Sequence, residues 1–508
     1  MYSLIELWRP FFFMTLLSWL TLLLCFASLA SAQSPDNSPE ALSRQGRFAE
    51  SAAVWRSVLA KDPSSVRANT GLVLTLLKLD DVKAAEESST RALAILPQSA
   101  SVHAVRGEVL FREGLPAAAE SEYRAALKLD DRCARAWLGM GRIEAAVSHQ
   151  DHTRGAFAKA HQLDPEDGDA LYRHATLLGF PQNVTLLEEH MARFRTGPER
   201  ERREREYVAF VKALAGRKIW TPAGEPTGAE IKLDNIATPA GVRGAGVRVK
   251  FNGGAPHLLL LDTGASWITV PRKLAEKAGA RKLSDFGMEG TGDAGPTAGY
   301  YAWVDKIAIG DVEFHDCVIQ VMLKENSAPE EGTLGLQMFT AFLVTLDLPA
   351  HRLRLSSLPE KVPEAGDESS RPLIAPDTAD NPRRQFLSFG HLILLPVRVN
   401  DKAEGLFILD TGANTTSISA RLGRQVTTLR NSKLSVTGAS GEVNDIFLAP
   451  NIRLQFARKA EDPEDLEAFD RPALSRNLET EVSGLIGLPT LARRKIIINY
   501  RDGVLGFE

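Results

Sequence analysis

Asp262 and Asp410 open two identical tetrapeptides, Asp-Thr-Gly-Ala, and each follows three apolar residues: Leu259-Leu260-Leu261 and Phe407-Ile408-Leu409. Two carboxylates held at contact distance repel, so one pKa rises and the other falls until the pair shares a proton. Such a pair can perform both halves of acid–base chemistry. The ionised member takes a proton from water while the protonated member polarises the group under attack. The two titrate as a unit, so the proton belongs to the pair. Gly264 and Gly412 let the backbone approach the carboxylates closely, and their amides are candidate donors to them.

The chemistry requires elements that bring these turns together, and the sequence supplies them in duplicate. GVRVKFNGGAPHLLLLDTGASWITV in the first copy parallels LLPVRVNDKAEGLFILDTGANTTSI in the second. Asp262 and Asp410 are 148 residues apart, Gly292 and Gly438 146 apart, and Gly335 and Gly487 152 apart. Offsets this constant predict two copies of one β-rich fold, with short strands alternating apolar and polar residues between Gly and Pro turns.

Hydrophobic strand, Asp-Thr-Gly-Ala, short strand, helix, Gly-rich hairpin, then Leu/Ile-Gly is an order that resembles the retropepsin and pepsin superfamily. The resemblance covers both copies, close to half of the chain. It implies two acid-protease barrel lobes, with Asp262 and Asp410 as the catalytic pair hydrolysing peptide bonds. It also implies that Thr263 and Thr411 reach across to the opposite turn and, with Gly264 and Gly412, support the active-site loops. Ala265 and Ala413 match the retropepsin form. The hairpins at 290–299 and 437–443, with Gly292 and Gly438, are flap candidates; Gly-rich tips can close over substrate and exclude water. Tyr300, Tyr301 and Trp303 are read as strand core, and Gly335 and Gly487 as support beneath the loops. With both lobes on one chain, an intramolecular pseudo-dimer is expected. The linker of about 26 residues has a coil span of roughly 25–30 Å, enough for face-to-face packing. Pairing of lobes between chains is the alternative.

Upstream, Pro63, Pro97, Asp131 and Pro165 recur every 34 residues, as do Ala92, Ala126 and Ala160, and the pairs Gly107/Gly141 and Tyr123/Phe157 keep the same interval. The pattern, AWLGMGRI followed by AFAKAHQLDP, resembles the tetratricopeptide repeat. It implies an α-solenoid whose concave face could take a protein partner or simply space domains. ERERRERE at 199–206 reads as a solvated helix with opposite charges at helical contact distance. Asn183-Val184-Thr185 is read as a coincidental glycosylation sequon.

The expected plan is thus multidomain α + β: a signal peptide or anchor at 1–32, the helical repeats at 33–198, a helical or extended linker at 199–240, lobe 1 at 241–358, a linker at 359–386 and lobe 2 at 387–508. In the leader, Arg9 is the only early cation, Phe11 to Ala30 carries no charge, and Ala30-Ser31-Ala32 offers small residues for cleavage. Export is therefore expected, to a periplasmic, secreted or membrane-anchored state, with the membrane reached only through the leader. A net charge of -4 and pI of about 6.3 give no basic excess for nucleic acid. Three cysteines, Cys25, Cys133 and Cys317, suggest no disulfide framework. Neither HExxH nor CxxC occurs and no histidine ligand spacing stands out, so neither metal nor cofactor is expected. The expected partner is a peptide or protein substrate. The expected function is aspartic endopeptidase, and the alternative is a non-catalytic peptide- or protein-binding scaffold.

Overall fold

The computed structural model describes residues 36–224, 228–238, 241–324, 330–361, 373–374, 383–432, 434–438, 440–456 and 459–508. The leader, with Cys25, lies outside them. Among the described residues no helix is long and apolar enough to cross a membrane, and Cys133 and Cys317 are buried and free.

Antiparallel helix pairs run from Pro39–Arg44 to Gln182–Arg193. Ser65, Asp81, Ser99 and Asp167 cap helix N-termini by accepting backbone N–H bonds, which satisfies donors that the first turn leaves free. The 34-residue spacing has a packing cause. A Cβ on Gly107 would come within 2.5 Å of Tyr123, and one on Gly141 within 2.4 Å of Phe157. The glycine of one helix thus seats the aromatic of the next. Asn183 is buried in its helix, in keeping with an incidental sequon.

Helix Pro198–Leu214 closes the solenoid through Val208 and Val211, against Ala175, Val184 and Leu187. Its charged segment is not simply solvated, because Glu204 is buried and Arg200, Arg202 and Arg203 reach the β region. The expected linker at 199–240 is therefore corrected. Strand Ala229–Lys232 pairs with Arg352–Ser357, and Asp234–Thr238 pairs with Gly241–Phe251, because Ile231, Leu233 and Ile236 carry apolar side chains that the lobe core buries.

The β region holds two similar sheets joined by a third. In the joining sheet, Phe342–Asp347 of the first lobe pairs antiparallel with Lys495–Asn499 of the second, in register from Val344↔Ile498 to Asp347↔Lys495. Ala229–Lys232 and Arg352–Ser357 extend it on one side, and Val504–Phe507 and Arg383–Gln385 on the other. The strand Arg383–Gln385 falls inside the expected linker 359–386, so that linker ends earlier than its composition suggests. One continuous apolar core runs through both lobes, from Val247 and Leu259 to Phe407 and Ile498. The lobes of a single chain therefore form the pair, and the alternative of lobe pairing between chains is not how this structure is built.

The solenoid lies against the second lobe. Phe111 packs on Phe389 with ring centroids 5.8 Å apart, and Ala146 and Val147 join a cluster with Leu392, Leu394 and Ile408. Following helix Pro472–Leu478, Glu479 turns left-handed (φ 54°). Its carboxylate meets Arg173 at 2.6 Å and Arg142 and Arg200 at 3.4 Å each. These contacts come largely from the first helices of successive repeats. The solenoid is thus engaged, over this stretch, by the chain's own second lobe.

Candidate active site

In each lobe the aspartate ends a central strand whose apolar side chains are buried. Pro256–Asp262 pairs parallel with Thr333–Gly335, placing Gly335 beside Asp262. Ala403–Leu409 pairs parallel with Gly484–Ile486. Gly335 and Gly487 are obligatory on steric grounds: a Cβ would lie 2.4 Å from the Ala265 carbonyl oxygen and 2.2 Å from that of Thr415. Both strands therefore pass directly beneath the turns they support.

The turns are cross-linked at four points. The Thr263 N–H donates to Thr411 Oγ1 (3.1 Å) and the Thr411 N–H to Thr263 Oγ1 (2.9 Å). Each hydroxyl in turn donates across the boundary, Thr263 to the Leu409 carbonyl (2.7 Å) and Thr411 to the Leu261 carbonyl (2.9 Å). Both threonines are buried. The lock brings the carboxyls of Asp262 and Asp410 within electrostatic reach of each other. The Gly264 N–H donates to Asp262 Oδ1 (2.8 Å) and the Gly412 N–H to Asp410 Oδ1 (2.9 Å). A Cβ on Gly264 would sit 2.8 Å from the Asp410 carboxyl, and one on Gly412 2.4 Å from that of Asp262. Each glycine thus makes room for the opposite aspartate.

Burial pushes the Asp410 carboxyl well above the usual range, and the negative charge of Asp262 pushes it the same way. Burial also raises Asp262, against the opposing pull of the Gly264 amide, Asp410 and the Arg243 guanidinium. Burial and mutual repulsion together favour a pair that holds one proton between the two carboxyls.

A second set of crossings was not foreseen. Arg243 donates to the Gly412 carbonyl (2.7 Å) and to Asn414 Oδ1 (2.6 Å) of the other lobe. His391 Nε2 lies 3.1 Å from the Gly264 carbonyl, an interaction in which the imidazole N–H donates. Arg243 and His391 each stand 19 residues before their aspartate. The equal offset is present in the sequence, but unlike residue types hide it. Asn414, whose difference from Ser266 has no evident meaning in the sequence, serves this arginine.

The two flap candidates meet tip to tip. Ser440 N–H donates to the Thr291 carbonyl (2.9 Å), Ala294 N–H to the Ser440 carbonyl (2.8 Å) and Gly290 N–H to Ser440 Oγ (3.0 Å). A Cβ on Gly292 would fall 2.5 Å from the Gly441 carbonyl, and one on Gly438 2.3 Å from that of Thr291. The first flap is also held from outside, with Glu289 bound by Arg202, Arg203 and Asn477. Tyr301 and Trp303 pack against Phe210 of the last solenoid helix, which agrees with their reading as packing residues.

Away from the aspartates, the solenoid gathers Glu144, His149 and His152, whose ligand atoms lie within 4.8 Å of one another. Spacing did not reveal this group because Glu144 belongs to the preceding helix.

With this geometry in place, comparison with known proteins is direct. Residues 247–338, which include the first aspartate turn and its supporting glycine, match the aspartyl protease family. Residues 40–100 and 105–168 match the tetratricopeptide repeat. The match to the aspartyl protease family thus lies behind the match to tetratricopeptide repeats. Among solved structures, the aspartic proteinase from Irpex lacteus is 12% identical over 55% of this chain and 97% of its own, with a TM-score of 0.33. A thermophilic tetratricopeptide repeat protein from Thermus thermophilus is 19% identical over 34% of this chain and 95% of its own, with a TM-score of 0.28. No curated protein matches the chain.

Proposed function

We propose that the chain is an aspartic endopeptidase in which Asp262 and Asp410 form one catalytic pair. The observation that carries this reading is the facing of the two carboxyls, each bonded by its own turn's glycine amide and each walled by the opposite glycine. In the working state the pair holds one proton. The ionised carboxyl takes a proton from a water molecule as its oxygen attacks the scissile carbonyl carbon. The protonated carboxyl donates to the carbonyl oxygen. Collapse of the tetrahedral species breaks the C–N bond, and the amine leaves with a proton from the pair. Flaps that open admit an extended peptide, and their closure excludes bulk water.

The solenoid, in this reading, serves the peptidase by holding the second lobe and the first flap, and recruits substrate or a partner on whatever face remains open. Export through the leader is part of the proposal, and mass spectrometry of protein from its native compartment tests it: Met1 retained on a cytoplasmic protein contradicts it. Activity is tested by digesting a peptide library in water enriched in ¹⁸O and reading products by mass spectrometry. Internal cleavage with one ¹⁸O in each new carboxyl supports the proposal. A library left intact across acidic to neutral pH contradicts it, and favours the binding scaffold.

A further inference from the structure

The strand Glu464–Ala468 of the second lobe runs into Phe469, Asp470 and Arg471 before helix Pro472–Leu478 begins. These residues, with Gly290 to Asp293 of the first flap and Val443 of the second, line a crevice of about 10 Å³ between the flaps and the second lobe, which must widen as the flaps part before it can take more than a water. Arg471 is 6% exposed. Its Nη2 donates to Ser417 Oγ, and its guanidinium lies over the Phe469 ring, 4.1 Å from the centroid. Its Nε and Nη1 are buried with no acceptor among the described residues. The neighbouring carboxylates of Asp470 and Glu467 attract the guanidinium without bonding to it. Asp470 accepts from the Arg421 N–H (3.0 Å), and Glu467 accepts from Thr415 Oγ1 (3.1 Å).

A buried guanidinium with two idle donors is costly to keep. The idle Nε–H and Nη1–H lie on different edges of the guanidinium, and either one can join the second hydrogen of Nη2 to hold a planar carboxylate. The group lies within electrostatic reach of Asp410.

We infer that Arg471 forms a carboxylate-binding subsite of the cleft, so that the peptidase selects substrates with an acidic group placed beside the scissile bond. The inference rests on the proposed endopeptidase function. The carboxylate belongs either to an internal Asp or Glu side chain or to the end of a peptide. Both present the same two oxygens, and only the internal one permits cleavage far from a terminus. Strand register sets Gln320 opposite Thr269 in lobe 1 as Glu467 stands opposite Ser417 in lobe 2, so the counterpart of Arg471 is Lys324. Lys324 is exposed where Arg471 is buried, so the preference is expected on the second-lobe side of the cleft.

The test compares the full chain with its Arg471→Met and Arg471→Lys variants on matched peptides. Each pair differs only in Glu against Gln at one position, or in a C-terminal acid against an amide. Binding is measured with uncleavable analogues carrying a central hydroxyl, and turnover with the cleavable forms. The wild type is expected to favour the acid of one pair by at least about tenfold in both measurements. In Arg471→Met that ratio falls to about one, and Arg471→Lys keeps part of it. Loss in the Glu/Gln pairs assigns an internal side chain, and loss in the acid/amide pairs assigns a peptide end. A wild-type ratio near one in every pair overturns the inference, as does a Met variant that keeps the wild-type ratio. If binding shows the ratio while no peptide is cut, the subsite stands and the endopeptidase reading fails. Melting curves confirm that both variants are folded when the ratios are taken.

Discussion

Replacing Thr411 with valine removes a hydroxyl without removing volume. In the structure that hydroxyl accepts from the Thr263 N–H and donates to the Leu261 carbonyl, at 3.1 and 2.9 Å, in a fully buried position. The variant strands one backbone donor and one backbone acceptor. Each such orphan costs about 1–3 kcal/mol, so a loss of about 2–5 kcal/mol is expected. Thr411→Ser keeps both bonds and loses only a methyl group, a loss of about 1 kcal/mol. The assay is urea unfolding followed by two probes, with activity measured beside it. Activity of Thr411→Val should fall further than the folded fraction accounts for, because the turn that carries Asp410 is loosened. Thr263→Val should behave alike, by the symmetry of the four bonds. The double variant should cost less than the sum, since each change weakens the network that the other breaks. A Thr411→Val protein within about 0.5 kcal/mol of the wild type, with wild-type turnover, refutes the reasoning.

Stability should depend on pH in two opposed ways. His391 is pushed down to about 4 by burial, so the unfolded chain binds more protons below its ordinary value near 6.5. Stability from this group is full above about 6.5 and is lost as pH falls toward 4, by at most about 3 kcal/mol; urea unfolding of His391→Gln should lack that slope. The raised Asp410 works the other way: its contribution is present at acidic pH and is lost as pH rises through its folded value. Asp410→Asn should therefore be as stable as the wild type or more so at neutral pH. Glu479→Ala leaves Arg142, Arg173 and Arg200 facing one another without their shared carboxylate. Glu479 is only half-buried, and Arg142 keeps Glu108 while Arg200 keeps Asp169 and Glu204. The loss should therefore fall below the cost of breaking a fully buried pair, about 3–5 kcal/mol, and hydrogen exchange should show the junction of solenoid and second lobe loosened first.

Much of this architecture is legible because it is written twice. The 34-residue period reflects a glycine in one helix seating an aromatic in the next, the repeated Asp-Thr-Gly-Ala block marks the aspartates, the Gly-rich hairpins downstream mark both flap tips, and the family resemblance implies the threonine lock. What repetition cannot show is where unlike elements meet. Strand Ala229–Lys232 reads as linker because a four-residue strand flanked by Gly and Asp carries too little pattern to announce itself. Glu479 looks like any surface glutamate until the fold sets three arginines from two distant helices and the solenoid's last one around it. Arg243 and His391 share a position but not a chemistry, so a search for identical residues passes over them. The first-lobe counterpart of Arg471, Lys324, is exposed, so only burial without a partner marks the arginine.

The account's central claim is that Asp262 and Asp410 act as one pair, and the measurement that bears on it most directly is turnover of the same cleaved peptide by Asp262→Asn and Asp410→Asn, each confirmed folded. Neither carboxyl alone can be both base and acid, so each single variant should lose essentially all turnover, and the double variant should be no worse than either single one. A transition-state mimic with a central hydroxyl should also bind both variants far more weakly than the wild type. Substantial turnover surviving in Asp262→Asn while Asp410→Asn is dead, or the reverse, contradicts the shared site.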